Sequence, residues 1–252
     1  MNHIYKLFLQ GVHCFELSNN NALGSVGSSF SSYNKTKILS QYEDDSGEIC
    51  FFGRNVFMGY LNSEKKTQEA INEDGWLLTG DIGKLDNSMF LYVTGRLKEL
   101  IITAGGENIS PVQIEEAIIA QQPELISNCM VVGDFKNYLT ILIGLKTKFD
   151  TISGASIDEL SDETIDWLKQ NGSSITKVSQ VLDNQEEVVY KSIQAAINIA
   201  NTKAVSNAAK IQKFTIIPRD FSLVTGELGP TMKVRRQIVS KMYESLVSKM
   251  YE

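Results

Sequence analysis

The sequence predicts a mixed α/β fold of the α+β kind: a strand-rich first part, then a small domain in which strands alternate with helices. Three observations carry this. Over residues 47–94 short apolar runs are separated by glycine-bearing turns. After residue 95, strand-length apolar runs at 129–132, 139–145 and 213–217 are interleaved with stretches of helical period. The strongest of those stretches, residues 186–204, places Val189, Ile193, Ala196, Ile197 and Ala200 on one face.

Taken in order, residues 1–46 read as irregular, because Asn19, Asn20 and Asn21 in a row and the Ser/Gly-rich stretch at 24–32 have loop composition. A short apolar strand follows at 48–52, then a turn at Gly59 and a short helix over 65–70. Strands at 90–94 and 100–103 flank a charged turn, Gly95, Arg96, Leu97 and Lys98. Ser110, Pro111 and Gln113 have the order of a helix start, with Ser at the N-cap, Pro first in the helix and Gln placed to close a capping box. That helix runs to about residue 121, with Ile114, Ala117 and Ile118 on one face. The strands near 130 and 140 pair as a hairpin. Residues 151–184 are polar and read as helices with loops, Ser161 being a cap. After the strand at 213–217 come a Gly/Pro-punctuated loop at 225–230 and a helical tail. The six residues 239–244 recur at 247–252, but an eight-residue spacing does not keep one helical face, so no repeat architecture is expected. The domain division expected is a remnant over 1–46, a strand-rich part over 47–95 and a small domain over 96–252, with its hinge at 96–98.

The chain of 252 residues is long enough for one large or two small domains. Its 24 basic and 30 acidic residues are well mixed and leave a formal charge of −6, so there is no basic stripe and nucleic acid is not an expected partner. Cys14, Cys50 and Cys129 are far apart and odd in number, which fits neither a disulfide framework nor a zinc site and points to a reducing compartment. The longest apolar runs are too short to span a bilayer, so no transmembrane segment is expected. Residues 4–17 are mildly hydrophobic, but Lys6, Gln10 and His13 interrupt them, against a signal peptide. His3 and His13 are the only histidines, which excludes a His-based triad or a His-rich metal site from the main body. Chemistry must come from Lys, Arg, Asp, Glu and backbone groups, and no metal site is expected in this chain.

Four segments could carry that chemistry, each an ordinary turn if taken alone. In Thr79-Gly80-Asp81-Ile82-Gly83 a carboxylate is flanked by glycines, and its two oxygens can grip the neighbouring hydroxyls of a ribose. In Thr94-Gly95-Arg96-Leu97-Lys98-Glu99 the guanidinium can fork onto phosphate or ribose oxygens. Gly105, Gly106, Glu107 and Asn108 precede a helix start, where paired glycines can make a backbone-lined passage for a ligand. Lys233 ends the glycine-rich stretch Gly226-Glu227-Leu228-Gly229-Pro230-Thr231-Met232, and a loop lysine can neutralise charge on a transferring phosphoryl group.

These segments occur together in a fixed order: Gly47-Glu48-Ile49, Gly59-Tyr60, Gly75-Trp76, Thr79-Gly80-Asp81, Gly95-Arg96, Gly106-Glu107-Asn108-Ile109 with Pro111, and Pro230-Thr231-Met232-Lys233. The ordered set, covering about residues 47–240, resembles the adenylate-forming (AMP-binding) superfamily. Phe57-Met58-Gly59-Tyr60-Leu61-Asn62, the run from Lys98 to Asn108 and the run from Gly226 to Thr231 look most like the bubblegum-type long-chain fatty acyl-CoA synthetases, in their C-terminal portion.

The resemblance implies the strand-rich end of a large adenylation domain followed by a small C-terminal lid. It implies a fatty acid–CoA ligase that uses ATP, coenzyme A and magnesium, activating a long-chain acid as acyl-AMP before thioester formation. By this resemblance Thr79, Gly80, Asp81, Arg96 and Lys233 would bind ATP or AMP, Lys233 acting catalytically. Lys98 would be the hinge, and Gly105, Gly106, Glu107 and Asn108 would line the coenzyme A passage. Lys233 and the glycine pair should lie on different faces of the lid. The family's Ser/Thr/Gly-rich phosphate loop and its magnesium-holding aromatic-Gly-x-Thr-Glu segment are not found in this sequence. The Ser/Gly-rich residues 24–37, with Lys35 and Lys37, are a decoy for the former. The chain is therefore expected to be a truncated form, inactive alone, with the magnesium ligands and the acyl tunnel elsewhere. A cytoplasmic location, peripheral to membranes, is compatible with such substrates. The competing expectations are a lid kept as a non-catalytic binding module and a ligase of the same chemistry for a different acid.

Overall fold

The computed structural model describes residues 14–15, 25–29, 33–40 and 45–252. His3, His13, the asparagine run and nearly all of the mildly hydrophobic 4–17 segment lie outside the described residues. The chain divides into two compact units between Leu100 and Ile101.

In the first unit β1 (Cys14–Phe15) and β2 (Ser28–Ser29) form a small antiparallel pair. β3 (Lys35–Ser40), β4 (Gly47–Phe52), β5 (Leu77–Leu85) and β6 (Leu91–Arg96) make a four-stranded antiparallel meander in that order. Helix α1 (Glu64–Ala70) lies between β4 and β5 in sequence and buries none of its residues. The sheet's apolar face closes on Ile49, Phe51, Leu77 and Leu91. Residues 35–40 were expected to be irregular. They form β3 because Thr36 and Ile38 alternate with lysines, and the lysines mask the strand signal. Those lysines lie over aromatic rings, with Lys37 Nζ 4.1 Å from the Trp76 ring and Lys35 Nζ 5.9 Å from that of Phe52.

The charged turn expected at 95–98 sits later than the sequence suggests. Gly95 and Arg96 finish β6, and a single 3-10 turn, Leu97–Glu99, follows. The cause is cross-strand pairing, since Ile82 and Asp81 of β5 continue the ladder opposite Gly95 and Arg96.

The second unit opens with the hairpin β7 (Ile101–Ile102) and β8 (Asn108–Ile109), then helix α2 (Pro111–Gln121). β9 (Ile126–Val132) and β10 (Leu139–Leu145) form the expected hairpin. β11 (Thr147–Phe149) and β12 (Ser156–Leu160) make a second one. Helices α3 (Asp162–Gln170), α4 (Val178–Asn184) and α5 (Glu187–Thr202) follow, then β13 (Ile211–Ile216), α6 (Arg236–Met242) and α7 (Glu244–Tyr251). β13 pairs parallel to β10, giving the order β13-β10-β9.

All seven residues of β10 are buried, because the strand is central and covered on both faces. Leu139, Ile141, Ile143 and Leu145 face a core that includes Ile118, Leu168, Val189, Ile193 and Ile197. Leu142 faces a second core with Phe221, Leu228, Val239, Tyr243 and Met250. The period of two thus deals one strand's side chains to two cores.

Two sequence expectations are corrected, and the absence of repeat architecture in the tail agrees with the sequence reading. Helix α2 begins after Ser110 on Pro111, but the Ser110 side chain makes no capping hydrogen bond and Gln113 is exposed, so no capping box forms. Pro111 at the first helical position and Glu115, buried and paired with Arg236, mark this helix start instead. The polar segment 151–184 holds not only helices but the strand β12, whose exposed Asp158 and Glu159 gave it a polar look. At its end Ser161 is the cap, accepting from Thr164 N at 3.1 Å. The repeated hexapeptide has no common environment: Val239 and Tyr243 are buried in the first copy and Met250 in the second. No helix among the described residues is long and apolar enough to cross a membrane.

Candidate functional site

Asp81 and Arg96 are directly opposite each other on β5 and β6. Arg96 Nε donates to Asp81 Oδ1 at 3.2 Å, and Arg96 Nη1 lies 4.0 Å from Glu99 Oε1. With side-chain exposures of 44% and 21% for Arg96 and Asp81, the pair contributes little to stability but stays accessible to a ligand. The backbone before Asp81 is bent and tied. Gly80 has φ +68°, and its N–H donates to Glu48 Oε1 at 2.8 Å. Thr79 Oγ1 donates to Ile49 O at 2.7 Å and accepts from Asp81 N at 3.1 Å. Gly83 is glycine for packing, since a Cβ there would come within 2.3 Å of Tyr92 O. So the register brings Thr79, Gly80, Asp81 and Arg96 together at one end of a hairpin. Lys98 follows in the 3-10 turn, exposed, two residues before the division between the units.

Gly105, Gly106, Glu107 and Asn108 form the exposed tip of the β7–β8 hairpin. Gly106 N donates to Thr103 O at 2.9 Å and Thr103 N to Glu107 O at 3.1 Å, closing the turn. Ala104 N donates to Lys136 O at 3.0 Å, which props the tip on the β9–β10 turn. Ser206 Oγ donates to Glu107 Oε2. Gly106 has φ +81°, a reason of its own to be glycine. Gly105 shows none: its φ is outside the left-handed region, and among the described residues a Cβ would meet only Thr103 Oγ1, at 3.8 Å.

Lys233 stands on a hairpin of its own, exposed. Gly229 N donates to Lys233 O and Met232 N to Gly229 O, both at 2.8 Å, with Met232 at φ +58°. This is a three-residue connection in which the left-handed position falls to Met232. Leu228 and Val234 pair antiparallel below it, and Arg235 N donates to Glu227 O at 2.7 Å. The Glu227 carboxylate is fully buried under the hairpin. It accepts from Arg219 Nη2 at 3.1 Å, from Tyr243 OH at 3.4 Å and from Thr225 Oγ1. Burial raises the Tyr243 phenol pKa, and the hydrogen bond with Tyr243 raises that of Arg219.

The structure therefore gathers the expected residues into three groups, one in the first unit and two in the second. Sequence reasoning missed the residues that hold these groups. Glu48, which fixes Gly80, was visible only as part of a motif. Glu227 under the lysine hairpin was likewise visible only as part of a motif, and its partners Arg219 and Tyr243 have no local signal. Glu115 and Arg236 were equally hidden: the buried Glu115 carboxylate takes both Nη1 and Nη2 of Arg236, at 2.9 and 2.6 Å, across 121 positions of sequence.

Residues 98–185 match the family model described as the AMP-binding enzyme C-terminal domain. The chain is 47% identical over 253 residues to a long-chain-fatty-acid–CoA ligase, ACSBG2, of Xenopus laevis, covering 99% of this chain and 34% of that protein. It is 46% identical over 218 residues to human long-chain-fatty-acid–CoA ligase ACSBG1, covering 86% of this chain and 30% of the relative. Among solved structures it is similar to the adenylation domain of a carboxylate reductase from Mycobacterium chelonae, with TM-score 0.62 and 18% identity over 86% of this chain and 30% of the other. It is also similar to ATP-bound MatB from Rhodopseudomonas palustris, with TM-score 0.56 and 21% identity over 88% of this chain and 36% of the other. At those identities the solved structures speak to the fold alone. The chain spans about a third of the length of the curated relatives it matches. By sequence it belongs to the adenylate-forming, AMP-binding superfamily, on the branch of the bubblegum-type long-chain fatty acid–CoA ligases, and it carries the superfamily's C-terminal domain.

Proposed function

We propose that these residues are the nucleotide grip and the moving lid of a long-chain fatty acid–CoA ligase. In that reaction the acid's carboxylate attacks the α-phosphate of ATP, giving acyl-AMP and pyrophosphate. The thiol of coenzyme A then attacks the acyl carbonyl, and AMP leaves. The observation that carries this reading is the Asp81–Arg96 cross-strand pair. A carboxylate and a guanidinium side by side match the two chemistries of AMP, neighbouring ribose hydroxyls and an anionic phosphate. Thr79 and Gly80 hold the bend that presents Asp81. Lys233, exposed on a hairpin anchored by Glu227, would neutralise the charge that develops between the acid and the α-phosphate.

Lys98 is the proposed pivot. Gly105, Gly106, Glu107 and Asn108 are the proposed passage for coenzyme A, a reading supported by the lack of any reason among the described residues for glycine at 105. Magnesium would arrive with the ATP phosphates, and none of these residues is proposed as its ligand. Phosphoryl transfer needs several preorganised groups at once. This sequence contains neither the phosphate loop nor the aromatic-Gly-x-Thr-Glu segment of the family, so the 252-residue chain alone is expected to turn over little acid.

The test is an NMR titration of the chain with AMP. Signals of Gly80, Asp81 and Arg96 should shift, and Asp81→Ala should remove the response. Unaltered binding in Asp81→Ala would overturn the assignment. In a ligase that carries both this chain and the phosphate loop, Lys233→Ala should abolish acyl-adenylate formation.

A further inference from the structure

The glycine hairpin and the lysine hairpin are far apart in sequence, yet both are rooted on one ion pair. Helix α2 starts three positions after Asn108, and its Glu115 is buried at 7% exposure. Helix α6 starts at Arg236, three positions after Lys233. Arg236 Nη1 donates to Glu115 Oε1 at 2.9 Å and Nη2 to Oε2 at 2.6 Å. Both partners also meet the same residue of β9. Val131 N donates to Glu115 Oε1 at 2.7 Å, and Arg236 Nη1 lies 3.4 Å from Val131 O. Carboxylate, guanidinium fork and strand backbone close into one network, with the root of each hairpin on either side.

We propose that Glu115 and Arg236 are a positioning pair that makes the Gly105–Gly106 tip and the Lys233 hairpin move as one rigid presentation. A buried ion pair is a weak source of stability, since apolar residues of similar volume often replace one without loss. What a bidentate fork adds is registry: it fixes angle as well as distance. Neither hairpin can shift at its root without dragging the other or breaking two charged hydrogen bonds. The catalytic meaning rests on the ligase reading above. One lid serves two steps, and a single pivot can exchange Lys233 for the passage only if their offset is constant. The mechanical coupling itself does not depend on that reading.

Hydrogen exchange followed by NMR on the ligand-free 252-residue chain tests the coupling. The reporters are the Gly106 and Glu107 amides, bonded to Thr103 O and Oγ1, and the Gly229 and Met232 amides of the lysine hairpin. In Glu115→Gln and in Arg236→Lys, reporters in both hairpins should exchange about tenfold faster while β10 amides keep their protection. Arg236→Lys keeps the charge and loses the fork, so the same rise there assigns the effect to the fork. Acceleration only in the hairpin next to the substituted residue would overturn the proposal. So would uniform acceleration that includes β10, because the pair would then only hold the fold together. If Glu115→Gln does not fold, Glu115→Asp, which keeps the charge on a shorter arm, is read by the same criteria. Coupled hairpins in a chain whose Asp81 does not respond to AMP would leave this pair standing and remove the ligase reading alone.

Discussion

Gly105 and Gly106 are adjacent glycines with different reasons for being there. Gly106 occupies left-handed backbone, so Gly106→Ala should destabilise the unit by about 1 kcal/mol. Gly105→Ala meets no strain and no close neighbour among the described residues, so its thermal midpoint should match wild type. In a ligase that carries both this chain and the phosphate loop, the proposed passage predicts that the same substitution lowers thioester formation from preformed acyl-AMP. A shared loss of stability in both variants would show that position 105 is glycine for folding. Cys50 is a different kind of residue, a buried thiol. Burial, and after it the Glu48 carboxylate, push its thiol from an ordinary 9.0 up to about 11. Between those values the unfolded chain has released the proton and the folded chain has kept it. The contribution to stability is therefore constant below pH 9.0 and declines as pH rises toward about 11. Urea midpoints of wild type and Cys50→Ala, compared across that window, should converge as the pH rises.

Strand β10 gives the prediction at the scale of an element. Ile141 and Leu142 are neighbours in sequence but belong to separate cores. Each truncation to alanine should cost roughly 2–5 kcal/mol, and the double variant should lose the sum to within about 0.5 kcal/mol. A large coupling between them in chemical denaturation would show that the two cores are one. This strand was legible from sequence because a continuous apolar run has few ways to be buried. Its parallel partner β13 was legible as a strand, but the pairing was not, because about seventy residues separate them and nothing local records the partner. Helix α2 shows the same limit. Its apolar face at Ile114 and Ile118 could be read from the period, whereas the buried Glu115 could not, since its justification is Arg236. The short strands β11 and β12 escaped notice because half-exposed edge strands carry polar residues as loops do.

At the scale of the whole molecule the division between Leu100 and Ile101 separates the Asp81–Arg96 pair from both hairpins of the second unit. Both cores described around β10 lie within the second unit. Residues 101–252 expressed alone should accordingly fold, with far-UV circular dichroism and a cooperative melt to match; a fragment that remains unfolded would show that the first unit is needed to complete it. The candidate site residues were chosen from sequence because motif order survives without knowledge of contacts. The supports beneath them could not, because Glu48, Glu227 and Arg219 act through partners brought near only by the fold.

The repeated hexapeptide of the tail has a consequence for chemical damage. Met242 of the first copy is 42% exposed and Met250 of the second is 4% exposed. An oxidant therefore reaches one thioether readily and is held from the other, although each sits between the same lysine and the same tyrosine. Sulfoxide at position 242 would add a polar group at the surface; at position 250 it would have to be accommodated inside the core that Leu142 and Phe221 share. Six identical residues thus have two susceptibilities, assigned wholly by what folds around them.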